Sequence, residues 1–157
     1  MTVTTYDPEA VYVTMGESIL TGWNSISISR DTVPILTVKG IKGKHTRTIN
    51  YDTSATVRLS ISAGSDWNTI FSYLLSLDVI EGTARLEFKI KDTGGTSLFH
   101  SLEAFVVNYA DVVFDASLAE RVWIIQCLST KEYDVGNTTT PAGSLLDAVS
   151  SGISSLF

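Results

Sequence analysis

ATVRLSIS, residues 55–62, sets Ala55, Val57, Leu59 and Ile61 on one side of an extended chain and Thr56, Arg58, Ser60 and Ser62 on the other. A period of two is the mark of a β-strand with one buried and one wetted face. The same signal recurs on either side of it. In NSISISRD (24–31), Ile26 and Ile28 alternate with Ser25, Ser27 and Ser29. In ARLEFKIK (84–91), Ala84, Leu86, Phe88 and Ile90 face away from Arg85, Glu87, Lys89 and Lys91. The turn sequence Asp92-Thr93-Gly94-Gly95 follows, with glycines available for positive φ. SLFHSLEAFVVNYADVVF (97–114) is long enough for a returning strand bent near Asn108. ERVWIIQCLST (120–130) is apolar on both faces over Val122–Ile125, so it belongs in a central or covered position. The pattern predicts a mainly β, α+β chain, an antiparallel sandwich or partial barrel.

One segment has the helical period instead. In SDWNTIFSYLLSLDVIEG (65–82), Asn68, Thr69, Ser72 and Ser76 make a narrow polar stripe, and Trp67, Ile70, Phe71, Leu74 and Leu77 cover the remainder. Ser65 or Asp66 can cap its start and Gly82 can end it. The spacing predicts one helix over about 65–80, packed on the sheet with a second apolar side to spare.

Residues 31–47, DTVPILTVKGIKGKHTR, join two strands by a connection too long for a hairpin turn, and loops of that length usually carry function. Its second half looks like a phosphate loop, but G-x-x-x-x-G-K-[ST] fails here: Val38 stands where the first glycine belongs, and His45 follows Lys44. The segment nonetheless gathers Lys39, Lys42, Lys44 and Arg47 in a chain of net charge −6. Beyond residue 133 a Thr-rich linker leads to Leu145, Leu146, Val149, Ile153 and Leu156 at helical spacing. Its serines and Gly152 make that helix marginal alone, so these five residues are candidates for contact with a partner.

At 157 residues the chain is one domain, or one domain with a tail. Seventeen acidic residues against eleven basic ones argue against a general nucleic-acid binder. One cysteine, Cys127, forbids an internal disulfide and fits a reducing compartment. The first residues lack a basic stretch followed by an apolar core, and no apolar run reaches the roughly 20 residues of a membrane span. A soluble cytoplasmic product without membrane insertion is expected.

Catalytic chemistry is not apparent. His45 and His100 each lack a second ligand at metal spacing, so neither a metal nor another cofactor is expected. No G-x-S-x-G elbow is present. Cys127 shares the apolar face of Trp123 and Ile125, the setting of a core thiol. Glu87 and Glu103 could face each other across two strands, as solvated strand faces routinely allow. Trp23, Trp67 and Trp123 could form a sugar-stacking platform, although two of them sit inside apolar patterns. The chain is not expected to be an enzyme.

The order of these elements, together with two motifs, resembles the tail tube proteins of contractile-tailed bacteriophages and the related type VI secretion tube proteins. YDPEAVYVTMGESILTGWNSISISRD carries the first motif at Tyr6, Asp7, Pro8, Val11, Val13, Gly16, Ile19, Gly22, Ser27, Ile28, Arg30 and Asp31. GKHTRTINYDTSATVRLSI carries the second at Gly43, Thr46, Arg47, Asp52, Ser54, Thr56, Val57 and Leu59. The resemblance spans roughly residues 6–130. It divides the chain into a tail-tube-like β domain over 1–133 and a C-terminal linker and amphipathic tail over 134–157.

The resemblance implies a virion protein assembled in the bacterial cytoplasm. Sheets of six subunits would join edge to edge into a closed barrel, and the rings would stack into a tube. Sheath and baseplate proteins would be its partners, and DNA would pass through without specific binding. Residues 31–47 would be the loop between rings, with Val33, Pro34, Ile35 and Leu36 buried against the next subunit and Lys39, Lys42, Lys44 and Arg47 meeting acidic residues there. Ser25, Ser27, Ser29, Thr56, Ser60 and Ser62 would line the lumen, where hydroxyls avoid the phosphate contacts that Lys and Arg make. A tail terminator, a baseplate tube initiator or a secreted hexameric ring is the alternative within this class. A carbohydrate-binding β-sandwich, from another class, requires an exposed Trp23 or Trp67.

Overall fold

The computed structural model describes residues 6–136. A 3-10 turn over Pro8–Ala10 leads into strands β1 (Val11–Met15), β2 (Ser18–Ile19) and β3 (Trp23–Arg30). Then come β4 (Ile35–Lys39), β5 (His45–Ile49), β6 (Ala55–Ser62) and the helix α1 (Trp67–Glu81). The chain closes with β7 (Leu86–Asp92), β8 (Leu98–Asn108), β9 (Glu120–Cys127) and β10 (Thr130–Asp134). The three alternating stretches fall on β3, β6 and β7, and the fold class is mainly β with one helix, as the pattern predicts.

The strands other than β4 and β5 form one antiparallel sheet in the order β2-β1-β7-β8-β9-β6-β3, with β10 paired to β8 beyond β9. It is a single curled sheet rather than two stacked ones. Alternation explains which face curls inward. Ala55, Val57, Leu59 and Ile61 are fully buried, opposite Cys127, Ile125, Trp123 and Arg121 of β9. Each large aliphatic side chain buried this way contributes about 1.5–3 kcal/mol. Five aromatic residues fill the middle: Phe71 lies 5.5 Å from both Trp67 and Trp123, and Phe88 lies 6.3 Å from Phe99. At the far side of the curl, Tyr133 packs edge-on against Phe99 at 5.3 Å, and its hydroxyl donates to the Ile28 carbonyl at 3.2 Å. A cleft of about 320 Å³, lined by Val11, Ile26, Ile28, Ile90 and Tyr133, remains between β3 and the β1–β7 end. The barrel is therefore partial, with β2 and β3 as its edges.

Several local expectations need correction. Asn68 belongs to the inward face of α1, only 5% exposed, not to a solvent stripe. Its amide nitrogen donates to the carbonyls of Ser62 and Ser65 at 2.9 and 3.1 Å, and its carbonyl accepts from Trp123 Nε1 at 3.0 Å. An asparagine can add a second bond to the backbone carbonyls of the β6–α1 turn and pair a buried indole from inside the core, and the helical period does not reveal this. The start of α1 is capped by Ser65, whose Oγ accepts from Trp67 N at 3.3 Å, while Asp66 makes no capping bond. Gly82 ends the helix at φ +69°, as expected. The 92–95 turn needs no positive φ. The Asp92 carboxylate accepts from Gly94 N at 2.9 Å, and positive φ occurs among the described residues only at Gly16, Gly22, Gly43 and Gly82.

Strand β9 is central, as its apolar run requires, yet only one of its faces is covered: Trp123 and Ile125 are buried, whereas Val122 is half exposed. β10 was not anticipated. It continues β9 along β8 after a break at residues 128–129, and it carries strand structure through Asp134. The tail candidates Leu145, Leu146, Val149, Ile153 and Leu156 lie outside the described residues.

Candidate functional site

The segment read as a loop over 31–47 is a β-hairpin. β4 and β5 pair from Ile35↔Ile49 to Lys39↔His45 and belong to no other sheet. The five residues Gly40–Lys44 turn the chain, with Gly43 at φ +80° and Gly40 N donating to the Lys44 carbonyl at 2.6 Å. The signal was present in the sequence: ILTVK and HTRTI are β-branched runs flanking a Gly-rich turn. The hairpin carries apolar residues on both faces, Ile35 and Ile49 on one and Leu36 and Val38 on the other, so no period marks a buried side.

Every residue from 33 to 49 is exposed. Ile35 and Ile49 share one face with Thr37, Arg47, Lys39 and His45, and Leu36 and Val38 share the other with Thr48 and Thr46. Val33 and Val38 are each about 60% exposed, and Ile41 at the tip has no cover at all. A two-stranded hairpin standing alone is marginal in water. One that exposes valines, isoleucines and a leucine on both faces has the composition of an interface.

Charge is segregated as well. The hairpin holds four of the eleven Lys and Arg residues and none of the seventeen Asp and Glu. It therefore stands at +4, and since the whole chain is −6 the remainder stands at −10. All eight interface candidates, Val33, Pro34, Ile35, Leu36, Lys39, Lys42, Lys44 and Arg47, lie on this one exposed projection.

The root of the hairpin is tied down by polar contacts. Asp31 accepts from Thr56 Oγ1 at 2.6 Å and from Gln126 Nε2 at 2.5 Å, which joins β3, β6 and β9. The Thr56 hydroxyl first, then the Gln126 amide, hold its carboxyl below the usual aspartate range. Arg30 donates to the Asp52 carbonyl at 2.9 Å, Ser54 N donates to Asp52 Oδ1 at 3.0 Å, and Asn50 N donates to the Pro34 carbonyl at 2.8 Å. The backbone N–H of Ser54 keeps the Asp52 carboxyl below its ordinary range too. The projection thus leaves the body in a fixed direction.

The six hydroxyl residues proposed to line a lumen do share one face. Ser25 pairs with Ser60 and Ser29 with Thr56, and Ser27 sits opposite Arg58. Ser25, Ser27 and Ser29 are exposed, and Thr56 and Ser62 partly so. Ser60 is 6% exposed and donates to Glu120 Oε2 at 2.7 Å, and Thr56 is committed to Asp31. β9 adds Val122, Ile124 and Gln126 to this face. The surface is hence a mixed one, in which hydroxyls surround one exposed arginine and an apolar strip.

The remaining chemical candidates resolve simply. Cys127 is fully buried, and burial pushes its thiol up to about 12. Glu87 does not face Glu103: a register shift between Leu86 and Phe88 breaks the pairing, and the Glu87 carboxylate bonds His100 Nε2. Among the described residues no group of three His, Cys, Asp or Glu could hold a metal, and no helix is long and apolar enough to cross a membrane. Trp67 and Trp123 are 7% and 3% exposed, which removes them from the sugar-stacking platform, while Trp23 is half-buried against the core and lines a surface cleft with Ile26 and Ile28. Sequence reasoning overlooked residues 109–119, of which 109–114 are expected to end a strand. They form an irregular exposed segment in which Phe114 is 89% and Leu118 74% exposed. Asp111 and Asp115, which flank VVF, are the available signal.

No protein-family model matches the chain. Structural protein ORF10 of Pseudomonas phage KPP10 is 26% identical to it over 164 residues, covering 92% of this chain and 95% of that protein. Among solved structures, the tube-terminating cap of the anti-feeding prophage superposes with a TM-score of 0.58 at 13% identity, covering 85% of this chain and 95% of that one. The fold is one found in contractile injection systems. A chain of the extended sheath–tube complex of the extracellular injection system PVC gives 0.53 at 17% identity, over 80% and 87% of the two chains. The sheath/tube terminator of the same system gives 0.51 at 16% identity, over 82% and 95%.

Proposed function

We propose that this chain is a non-enzymatic structural protein of a phage contractile tail, one that forms hexameric rings stacking into the inner tube. In this role it is part of the virion, is assembled in the host cytoplasm, touches sheath and baseplate proteins, and lets DNA pass without specific binding. The observation that carries the reading is the hairpin of β4 and β5. It is anchored at its root, exposed throughout, apolar on both faces and +4 on a body of −10. Such an element has no function within one subunit and a clear one between two. The phage structural relative and the shared fold of injection-system chains support the setting.

The sheet edges supply the lateral contact. The bond from Asp31 N to the Ser54 carbonyl sets the alternation along β3–β6, so the backbone groups of Ile26 and Ile28 point away from β6. An edge of this kind is a template for a strand of the next subunit. Six such joins close a ring by a heterologous contact.

A second reading has its own support: two of the similar structures described above are a tube cap and a sheath/tube terminator. A terminator would form the ring but end the stack. Negative-stain microscopy over a concentration series separates the two. Long hollow rods of uniform width are expected, and discrete rings that never stack would assign the chain to the terminator. Replacing residues 35–49 by Asn-Gly, which bridges the adjacent Pro34 and Asn50, is expected to leave a folded subunit that forms no rods. Rods from that variant would remove the hairpin from the mechanism.

A further inference from the structure

The proposed stacking requires a surface on the next ring that receives the hairpin, and the strand register shows where the hairpin's counterpart lies. β3 runs toward the hairpin and β6 runs back from it, so Arg30, Ala55 and the paired Cys127 mark the hairpin end of the sheet. Ser62 and Glu120 are paired at the opposite end, seven residues along, or about 23 Å at a strand's rise of roughly 3.3 Å per residue. The exposed segment 109–119 connects β8 to β9 at that end. Its Leu118 lies beside Gly64 in the turn before α1.

This end has the character complementary to the hairpin. Val113, Phe114 and Leu118 are 59%, 89% and 74% exposed, and Asp111, Asp115, Glu120 and Asp66 are exposed around them. Two basic residues adjoin the group: Arg121, half-buried on the core side, and the exposed Arg58, which shares a pocket with Asp111 and offsets part of its charge. Apolar side chains ringed by carboxylates thus stand at one end of the sheet, and apolar side chains flanked by lysines stand at the other.

We infer that residues 109–120 of one copy are the receptor for the β4–β5 hairpin of a second copy, with Ile41 and its neighbours seated on Phe114 and Leu118 while Lys42 and Lys44 face Asp111 and Asp115. The inference rests on the stacking reading above and names its second surface. Because donor and receptor occupy opposite ends, the contact is head-to-tail and repeats without limit along one axis. A chain with both patches at one end would instead pair off as a closed dimer. The lysine–carboxylate contacts select register and partner, and their contribution declines with added salt.

Disulfide trapping in the full chain provides the test. Cys127 is buried and its thiol is raised to about 12, so it gives little background. An Ile41→Cys chain and a Phe114→Cys chain are co-expressed and oxidised. Mixed cross-linked pairs are expected in large excess over like pairs, and Lys42→Glu/Lys44→Glu in the Ile41→Cys chain should abolish them. Adding Asp111→Lys/Asp115→Lys to the Phe114→Cys chain should restore them. Both charge changes lie on exposed residues off the core, and unchanged circular dichroism confirms folding. Like pairs in excess, or no mixed pairs while rods are visible by microscopy, would overturn the receptor assignment and leave the tube reading standing. An absence of cross-links, rings and rods at every concentration would overturn both.

Discussion

The β6 strand and the β4–β5 hairpin are neighbours in sequence and opposites in physics. β6 alternates, and its apolar face is fully covered by Trp123, Ile125 and Cys127 across the ladder. β4 and β5 carry a comparable share of Ile, Val and Leu, yet none of it is covered. A strand that is stabilised within its own subunit needs one buried face. A strand that is stabilised by another subunit can afford apolar residues on both, because its burial is completed on assembly. On the proposed assembly, the two regions divide the chain's hydrophobic surface between folding and association.

The division makes its strongest prediction in the body. Phe71→Ala removes a fully buried ring that touches both Trp67 and Trp123. The expected loss is about 3–5 kcal/mol of stability, from transfer and cavity terms together. Chemical denaturation of the isolated subunit measures it. A loss below about 1 kcal/mol would mean that the helix–sheet contact is loose, since well-packed core sites do not tolerate such truncation cheaply. Val38→Ala on the hairpin serves as the contrast and should leave subunit stability unchanged.

The contrast also explains what was legible beforehand. β3, β6 and β7 announce themselves because one face of each is covered within the chain, so alternation survives. The helix is legible for the same reason, down to Gly82 as its terminator. The hairpin reads as a loop because exposure on both faces erases the period. Its concentration of lysines is the sequence signal on which the proposed contact role rests. Asn68 was placed on the wrong side because its burial depends on three carbonyls and an indole supplied by other segments. β10 was missed because TKEYD presents only Tyr133 to the core. Residues 109–119 were missed because an apolar run followed a strand directly, and only the tertiary register shows that pairing ends at Asn108.

A smaller effect tests whether the body is held by polar as well as apolar contacts. Asn68→Ala leaves Trp123 Nε1 without its partner inside the protein and removes the second bonds to the carbonyls of Ser62 and Ser65, which keep those from the backbone N–H groups of residues 65 and 68. Unsatisfied buried groups cost about 1–3 kcal/mol, so the variant should unfold at clearly lower denaturant with an unchanged slope. Stability equal to the parent would show that water replaces the amide and that the α1–β6 corner is open to solvent.

The smallest effect lies where the two regions meet, at Asp31. Its carboxylate joins the hairpin root to β6 and β9 through Thr56 and Gln126, and those hydrogen bonds lower its folded pKa. A group whose folded pKa is depressed stabilises the protein above its unfolded pKa, near 3.9 for aspartate, and loses that contribution as pH falls through the folded value. Asp31→Asn keeps the shape but not the charge. It should lower the melting temperature modestly at pH 7, and the gap to the parent should narrow as the pH falls from about 3.9, the unfolded value, toward the lower folded value at which the parent's own carboxyl becomes neutral. The same substitution should hinder rod formation more than it hinders folding, because it loosens the direction of the hairpin while leaving the core intact. If instead Asp31→Asn changes stability equally at all pH values and assembly not at all, the carboxylate is an ordinary surface group. The boundary between the folding and association regions would then have to be sought at Arg30 and Asp52.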